Sequence, residues 1–129
     1  MVYAYLRVST NDQDLEKFKQ SIENYCKYKN MDSPTYVEEK VSGRKVPLEK
    51  RKLYNLIQKK DVSDIICPEL SRLGRSTTEI LKVLDFARSN NITMHLLKEG
   101  MIWGHNPNPT TILVFEMLSS ISQFEGEMK

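Results

Sequence analysis

The chain has 129 residues, of which 40% are hydrophobic and 28% are charged, and its formal net charge at pH 7 is +2. This length allows one substantial core but not two ordinary domains, and the apolar runs are too short to span a bilayer. The first ten residues lack a basic region followed by a long apolar stretch, so neither secretion nor organelle import is expected, and the sequence indicates a cytoplasmic protein.

Strands alternate with amphipathic helices through the first hundred residues. Residues 3–8 alternate and are rich in aromatic and β-branched side chains, which predicts a strand. Apolar spacing and cap residues then predict a helix to about residue 30 and strands over 34–39, 64–67 and 92–97. They also predict a helix that begins after Leu48 and another that is capped by Thr77 or Thr78. Strands and helices in this order form right-handed crossovers. The predicted fold is therefore α/β, with four strands in a mainly parallel sheet covered by helices on both faces.

A last helix is predicted from about Thr110, after a segment over 100–109 whose glycines and prolines break the pattern. The helical character continues to Lys129, which indicates either a truncated chain or a linker to a further domain. Its hydrophobic residues are spread too widely for one stripe against its own sheet, so part of this helix is expected to form an oligomer interface. These residues are Ile112, Leu113, Phe115, Met117, Leu118, Ile121 and Phe124.

Cysteines and histidines give no indication of a metal site. Cys26 and Cys67 lie in apolar contexts without CxxC spacing, so buried thiols are favoured over a disulfide or a metal site. His95 and His105 are isolated, and we interpret both as structural. The sequence therefore predicts a protein without a bound metal.

Positive charge is concentrated between residues 40 and 60, which carry eight basic residues against one acid, Glu49. Such a segment attracts a polyanion such as DNA, because neutralised phosphates release condensed counterions. A solvated helix face and loop explain the same charge equally well. The charge alone leaves both interpretations open.

Ser9 directly follows the first predicted strand and lies two residues after Arg7, so the two side chains leave on the same side if the strand geometry persists. In open α/β sheets, ligands bind at the carboxyl ends of the strands, and the next helix directs its N-terminal amides to this edge, which favours a phosphate. Arg72 and Arg75 follow the third strand, which is expected beside the first. The same edge can therefore collect three guanidinium groups around one serine hydroxyl.

Three arginines around a serine suit phosphoryl transfer. Planar guanidinium groups bind the non-bridging oxygens of a phosphodiester and keep their charge as negative charge develops there. Arginines can thus take the place of a metal ion, while a serine ester conserves the energy of the broken bond. Taken singly these signals are weak, because a serine after a strand is more often a helix cap and loop arginines are usually surface ion pairs.

Three motifs together resemble the catalytic domain of the serine site-specific recombinases, the resolvase/invertase family. Residues 5–10, YLRVST, are similar to the family's Y-x-R-V-S-T opening, residues 42–43 to its S-G loop, and residues 70–76, LSRLGRS, to its second arginine motif. The resemblance covers essentially the whole chain and implies a flavodoxin-like fold followed by a long dimerisation helix. It also implies an enzyme that cleaves and rejoins DNA through a covalent 5′-phosphoserine, without metal or nucleotide cofactors.

The resemblance further implies roles for individual residues and partners. Ser9 is implied as the nucleophile. The implied active-site cations are Arg7, Arg72 and Arg75, and the implied DNA contacts are Gln13, Ser42 and Arg51. The implied partners are double-stranded DNA and further copies of the chain, as a dimer and, in the synaptic complex, a tetramer. Residues 1–105 are then the catalytic domain, residues 106–129 begin the oligomerisation helix, and the family's separate helix-turn-helix domain is expected to be absent from these residues.

Three positions depart from the family pattern. Ser71 stands where many members have an aspartate before the first arginine, so no role of that acid is carried over. Phe18 replaces a second glutamine found in some relatives. Gly126 stands where a Glu-Arg pair is common in the last helix, so DNA contacts are not carried over to that helix.

Two other classes of function fit the fold. A catalytically silent DNA-binding or synapsis module would keep the last helix and the basic segment but does not need Ser9 together with three arginines. A response-regulator-like or nucleotide-binding protein needs clustered acids or a glycine-rich loop after the first strand, and the sequence has neither. The recombinase interpretation uses all the motifs, although the sequence does not distinguish inversion, resolution, integration and transposition.

Overall fold

Strands and helices alternate along the chain in the computed structural model, which describes residues 1–8, 15–40 and 51–127. The elements, in chain order, are β1 (Val2–Val8), α1 (Leu15–Tyr28), β2 (Thr35–Lys40), α2 (Lys52–Ile57), β3 (Asp64–Cys67), α3 (Thr77–Ser89), β4 (Thr93–Leu96), β5 (Met101–Trp103) and α4 (Pro109–Glu127). A short 3₁₀ turn, Leu70–Arg72, joins β3 to α3. The predicted α/β class is confirmed.

The sheet has the order β2-β1-β3-β4-β5. β1 pairs in parallel with β2 and β3, and β3 pairs in parallel with β4, whereas β5 is antiparallel to β4. The mainly parallel sheet is thus confirmed, but its fifth strand corrects the predicted count of four. β5 is too short for an alternating pattern to mark it in the sequence. It follows Gly100, whose φ of 66° turns the chain back at little cost because glycine has no Cβ.

Helices cover both faces of the sheet, as the sequence predicts. Alternation along β1 sends Tyr3 and Tyr5 into a core shared with α2, α3 and part of α4. Ala4 and Leu6 point to the opposite face, where they pack with α1. Both cysteine thiols are free and buried, which confirms the interpretation made from their apolar contexts.

α4 packs only one side against its own domain. Val114, Phe115 and Leu118 contact the larger core, and the Phe115 ring stacks on Trp103 with a centroid distance of 4.4 Å. Phe115 and Leu118 therefore belong to the domain's own core, and only the rest of the apolar set is left for a partner. The residues that are exposed, at 46–61%, are Ile112, Leu113, Met117, Ile121 and Phe124.

The described ranges contain no helix that combines the length and the hydropathy needed to cross a membrane.

Candidate active site

The carboxyl ends of β1 and β3 meet at the point where the strand order changes direction. From β1 the chain moves outward to β2, and it then returns to the other side of β1 to form β3. Ligands bind at such switch points in open α/β sheets. The residues that follow these two strands, 9–14 and 68–76, are therefore the candidate site. Ser9 and Gln13, together with Ser42 from another segment, lie outside the described residues.

Arg7 lies on β1, one residue before the strand ends, and its Cα pairs in register with that of Glu39 on β2. Alternation places it on the same face as Tyr5. Its Nη1 atom is buried and, within the described part of the chain, has no hydrogen-bond partner. Leaving a charged donor in this state costs about 1–3 kcal/mol or more. An anion at this edge of the sheet would remove that cost.

Arg51 is completely buried at the N-cap position of α2. Its Nη1 atom lies 3.3 Å from Glu79 Oε1, which is an ion pair and not a well-aligned hydrogen bond. A guanidinium keeps its charge even when buried, so Arg51 needs a carboxylate close to it. The residue predicted as a DNA contact from the basic segment is therefore held inside the domain by α3.

Arg75 shares that carboxylate. Its Nε atom donates to Glu79 Oε2 at 3.2 Å, and its backbone N–H donates to Glu79 Oε1, also at 3.2 Å. The Arg75 side chain is 43% exposed, whereas that of Glu79 is 13% exposed. The structure thus brings the predicted cation Arg75 and the predicted DNA contact Arg51 to one acid, Glu79, which the sequence interpretation missed.

A serine places Glu79 at this point. Ser76 has extended backbone angles, and its Oγ accepts a hydrogen bond from Glu79 N at 3.2 Å, so it caps α3. The predicted caps, Thr77 and Thr78, are wrong because both residues lie inside the helix. The sequence Ser76-Thr77-Thr78-Glu79 fits the S-x-x-E capping box, which would have identified both the helix start and the glutamate.

Arg72 lies in the 3₁₀ turn and binds a different carboxylate. Its Nε atom is 3.3 Å from Glu69 Oε1, and Ser71 Oγ donates to the same oxygen at 2.7 Å. These two groups, the serine hydrogen bond first, lower the pKa of Glu69 below its usual value. The resemblance gave no acid for Arg72, because position 71 is a serine, and in the structure the acid that holds Arg72 is Glu69.

A buried hydrogen-bonded pair lies beneath the arginines. Tyr5 Oη donates to Glu39 Oε1 at 2.5 Å, and Glu39 Oε2 accepts from the backbone N–H of Lys52 at 2.8 Å. Burial, reinforced by the hydrogen bond to Glu39, raises the pKa of Tyr5 well above its usual value. Tyr5 therefore remains a proton donor to Glu39. Glu39 in turn holds the start of α2 beside β2 through the Lys52 amide. Sequence reasoning treated Tyr5 only as a core and motif residue and missed Glu39.

The lysines of the basic segment behave differently from Arg51. Lys40, Lys52, Lys59 and Lys60 are exposed, and the Lys52 ammonium donates to the carbonyl of Glu38 at 3.0 Å. They can approach a polyanion from solvent. The described part of the segment, residue 40 and residues 51–60, thus combines four exposed lysines with one buried arginine.

His95 lies away from the arginines, on the α1 face of the sheet. One ring nitrogen is 2.6 Å from Tyr25 Oη and the other is 2.8 Å from Asp64 Oδ1. This contact to His95 is the main reason why the pKa of Asp64 is lowered. Both ring nitrogens are occupied, in agreement with a structural role. Across residues 1–8, 15–40 and 51–127, no group of histidine, cysteine and acidic side chains could hold a metal ion.

Comparisons with known proteins place these motifs in a family. The family model "Resolvase, N terminal domain" matches residues 2–129. A resolvase of Clostridium perfringens (strain 13 / Type A) is 27% identical over 129 residues, which are 99% of this chain and 65% of the relative. The serine recombinase PinR of Escherichia coli K12 is 27% identical over 128 residues, which are 98% of this chain and 63% of the relative. The chain therefore spans just under two thirds of the length of these two relatives.

Solved structures share the fold. The N-terminal catalytic domain of TP901-1 integrase superimposes with a TM-score of 0.76 at 24% identity, covering 99% of this chain and 98% of that one. A resolvase family site-specific recombinase from Streptococcus pneumoniae gives a TM-score of 0.70 at 22% identity, covering 98% of this chain and 87% of that one. These similarities show the architecture.

Proposed function

The chain belongs to the resolvase family, and from this premise we propose that it is the catalytic domain of a serine recombinase that cleaves and rejoins double-stranded DNA. The proposed intermediate is a 5′-phosphoserine at Ser9. The proposed site consists of Ser9 and the cations Arg7, Arg72 and Arg75. Gln13 and Ser42 are proposed to contact the DNA phosphate, and the buried Arg51 is proposed to support the site from inside the domain.

The observation that carries the proposal is the buried Nη1 atom of Arg7. It belongs to a residue at the carboxyl end of β1, two positions before Ser9 and beside the switch point of the sheet. A phosphodiester there would accept the hydrogen bond that this atom lacks within the described part of the chain. A structural arginine would instead be expected to have its buried nitrogens satisfied.

The proposed chemistry consists of two phosphoryl transfers, the first from a DNA 3′ oxygen to Ser9 and the second from Ser9 back to a DNA 3′ oxygen. In cleavage, Ser9 Oγ forms a bond to phosphorus, the bond from phosphorus to the 3′ oxygen breaks, and a proton passes in net from the serine to that oxygen. In rejoining, a 3′ hydroxyl attacks the phosphoserine and the serine recovers its proton. One ester replaces another in each step, so no nucleotide is needed. Guanidinium groups stabilise the charge on the non-bridging oxygens, and no metal is needed for this.

The proposed assembly uses the exposed side of α4. Five apolar residues lie there in one helix, which supports a dimer, and two dimers are proposed to form a tetramer that brings two DNA sites together. The exposed lysines of residues 40–60 are proposed to guide the DNA. We also propose that the chain works in the cytoplasm.

Capture of a covalent adduct tests the proposal without knowledge of the target site. The full-length protein that contains this chain is incubated with fragmented genomic DNA, denatured, and the DNA that stays bound is sequenced. The wild type is expected to retain fragments that share one site, whereas Arg7→Gln is expected to retain none. Arg88→Gln, an exposed arginine on α3, is the matched control and is expected to behave as the wild type. A folded wild type that binds DNA without any adduct would identify a silent binding module instead.

A further inference from the structure

Glu79 is the only acid in the described residues that forms ion pairs with two of the proposed site arginines. Its two carboxylate oxygens have different partners. Oε1 lies near Arg51 and accepts from the Arg75 backbone N–H, whereas Oε2 accepts from Arg75 Nε. Arg75 uses its Nε–H in this contact.

The backbone near Glu79 has little freedom to move. Ser76 caps the helix through the Glu79 amide, and Gly74 lies so close to the first turn that a Cβ there would be 2.9 Å from Ile80 N and 3.0 Å from Glu79 Cβ. The turn that carries Arg75 is therefore pressed against the start of α3. A small shift of Glu79 would therefore also move Arg75, to which it is hydrogen-bonded.

On its other side, Glu79 is connected to the strand that carries Arg7. Arg51 directly precedes Lys52, whose backbone N–H donates to Glu39, and Glu39 is in register with Arg7 across the β1–β2 pair. One line of contacts thus runs from Arg75 through Glu79 and Arg51 to β2. A single carboxylate fixes the distance between the arginine turn and the sheet edge.

We propose that Glu79 is a positioning residue of the recombination reaction, which holds Arg51 and Arg75 in the orientation that the transition-state phosphate needs. This inference rests on the proposed function. Glu79 does not touch DNA in this role, and its negative charge opposes DNA binding. The position of Glu79 thus favours catalysis, whereas its charge weakens DNA binding. Separate measurements of rate and affinity can therefore distinguish the two effects.

The expected effect of Glu79→Gln is a split between binding and catalysis. Removal of one negative charge beside two arginines leaves DNA affinity unchanged or slightly higher. Loss of the ion pairs lets both guanidinium groups move, and misplacement by about 1 Å costs on the order of a hundredfold in rate. The single-turnover cleavage rate at saturating DNA is therefore expected to fall by about tenfold to a hundredfold.

Two further variants separate geometry from charge and from folding. Glu79→Asp keeps the charge but is one methylene shorter, so it cannot reach both arginines, and its cleavage rate is expected to fall as well. Asp85→Asn removes the same charge from an exposed position of α3 and is expected to keep the wild-type rate. Rates are compared in full-length proteins at a temperature where thermal melts show each variant folded. If Glu79→Gln does not fold, the cleavage rate of Glu79→Asp is compared with that of the wild type instead.

The substrate for these rates is the DNA that the wild type captures, and dissociation constants are measured on the same duplex. A wild type that forms no adduct overturns the proposed function and the positioning role together. A wild type that cleaves while both Glu79 variants match its rate overturns the positioning role alone. Equal losses of affinity and rate would also overturn it, since Glu79 would then serve DNA binding.

Discussion

Tyr5 Oη and Glu39 Oε1 form a 2.5 Å hydrogen bond between β1 and β2, and both residues are almost completely shielded from solvent, at 0% and 4% exposure. The bond lies one alternation step below Arg7, on the same face of the sheet. The oxygen of Glu39 that Tyr5 does not use holds the backbone at the start of α2. Beneath the candidate site the core therefore contains this polar contact as well as the buried Arg51.

Tyr5→Phe should destabilise the domain by about 1–3 kcal/mol, because Glu39 would lose a donor at a position that water does not reach. The measurement is urea unfolding followed by circular dichroism. Tyr36→Phe is the control, since its hydroxyl binds Glu23 at the outer surface of α1 and water can replace it. Equal losses in the two variants would contradict a special role for the buried pair.

Gly74→Ala should destabilise the domain by about 1–3 kcal/mol, as expected when a methyl group is forced into filled space. The obstacles are the backbone nitrogen of Ile80 and the Cβ of Glu79, neither of which lies at the end of a flexible side chain. Gly100→Asn is the comparison, because Gly100 has open space around it and asparagine tolerates positive φ. Thermal melts should show the larger loss at Gly74, and the reverse order would show that the arginine turn has room.

DNA cleavage should proceed in excess chelator and without nucleotide, because guanidinium groups supply the positive charge and the phosphoserine conserves the bond energy. Adduct formation is measured with and without EDTA after the protein has been dialysed against chelator. Restoration of activity by added magnesium in the chelated sample would contradict a reaction carried by arginines.

Ile121→Glu should weaken self-association and leave the fold intact, because Ile121 is 46% exposed on α4. Burial of one such side chain contributes roughly 1.5–3 kcal/mol, so the dissociation constant should rise by at least about tenfold. Leu118→Glu should instead lower the melting temperature, since Leu118 packs on the domain's own core. Sedimentation velocity over a concentration series gives the masses, and a wild type that stays monomeric would assign this surface to another partner.

The sequence predicted the elements that have long periodic patterns and missed what depends on contacts across the fold. The predicted strand over 64–67 coincides with β3, and the helix predicted after Leu48 is α2, whose Leu53, Leu56 and Ile57 are buried. β5 was missed because three residues give no period, and its pairing with β4 depends on the turn at Gly100. Ser76 was missed because two threonines beside it are also capable caps, and the S-x-x-E spacing to Glu79 that distinguishes Ser76 was overlooked.

For the candidate site, the arginines could be predicted from the sequence, but the acids with which they form ion pairs could not. Arg7, Arg72 and Arg75 were identified from motifs, yet nothing in the sequence indicated that Arg51 would be buried and paired with an acid 28 positions away. An ion pair of that kind is set by how α2 and α3 pack on the sheet. No acid could be assigned to Arg72 from the resemblance, because position 71 is a serine, and the structure shows that Glu69 supplies it.

The chemical identity of the residue linked to DNA tests the central proposal most directly. Full-length protein trapped on its DNA is digested with protease and nuclease, and the peptide that contains Ser9 is analysed by tandem mass spectrometry. The proposal predicts a nucleotide joined through its 5′ phosphate to Ser9, and no adduct from a folded Ser9→Ala variant that still binds DNA. A nucleotide attached to any other residue, or an adduct that persists in Ser9→Ala, would contradict the proposed nucleophile.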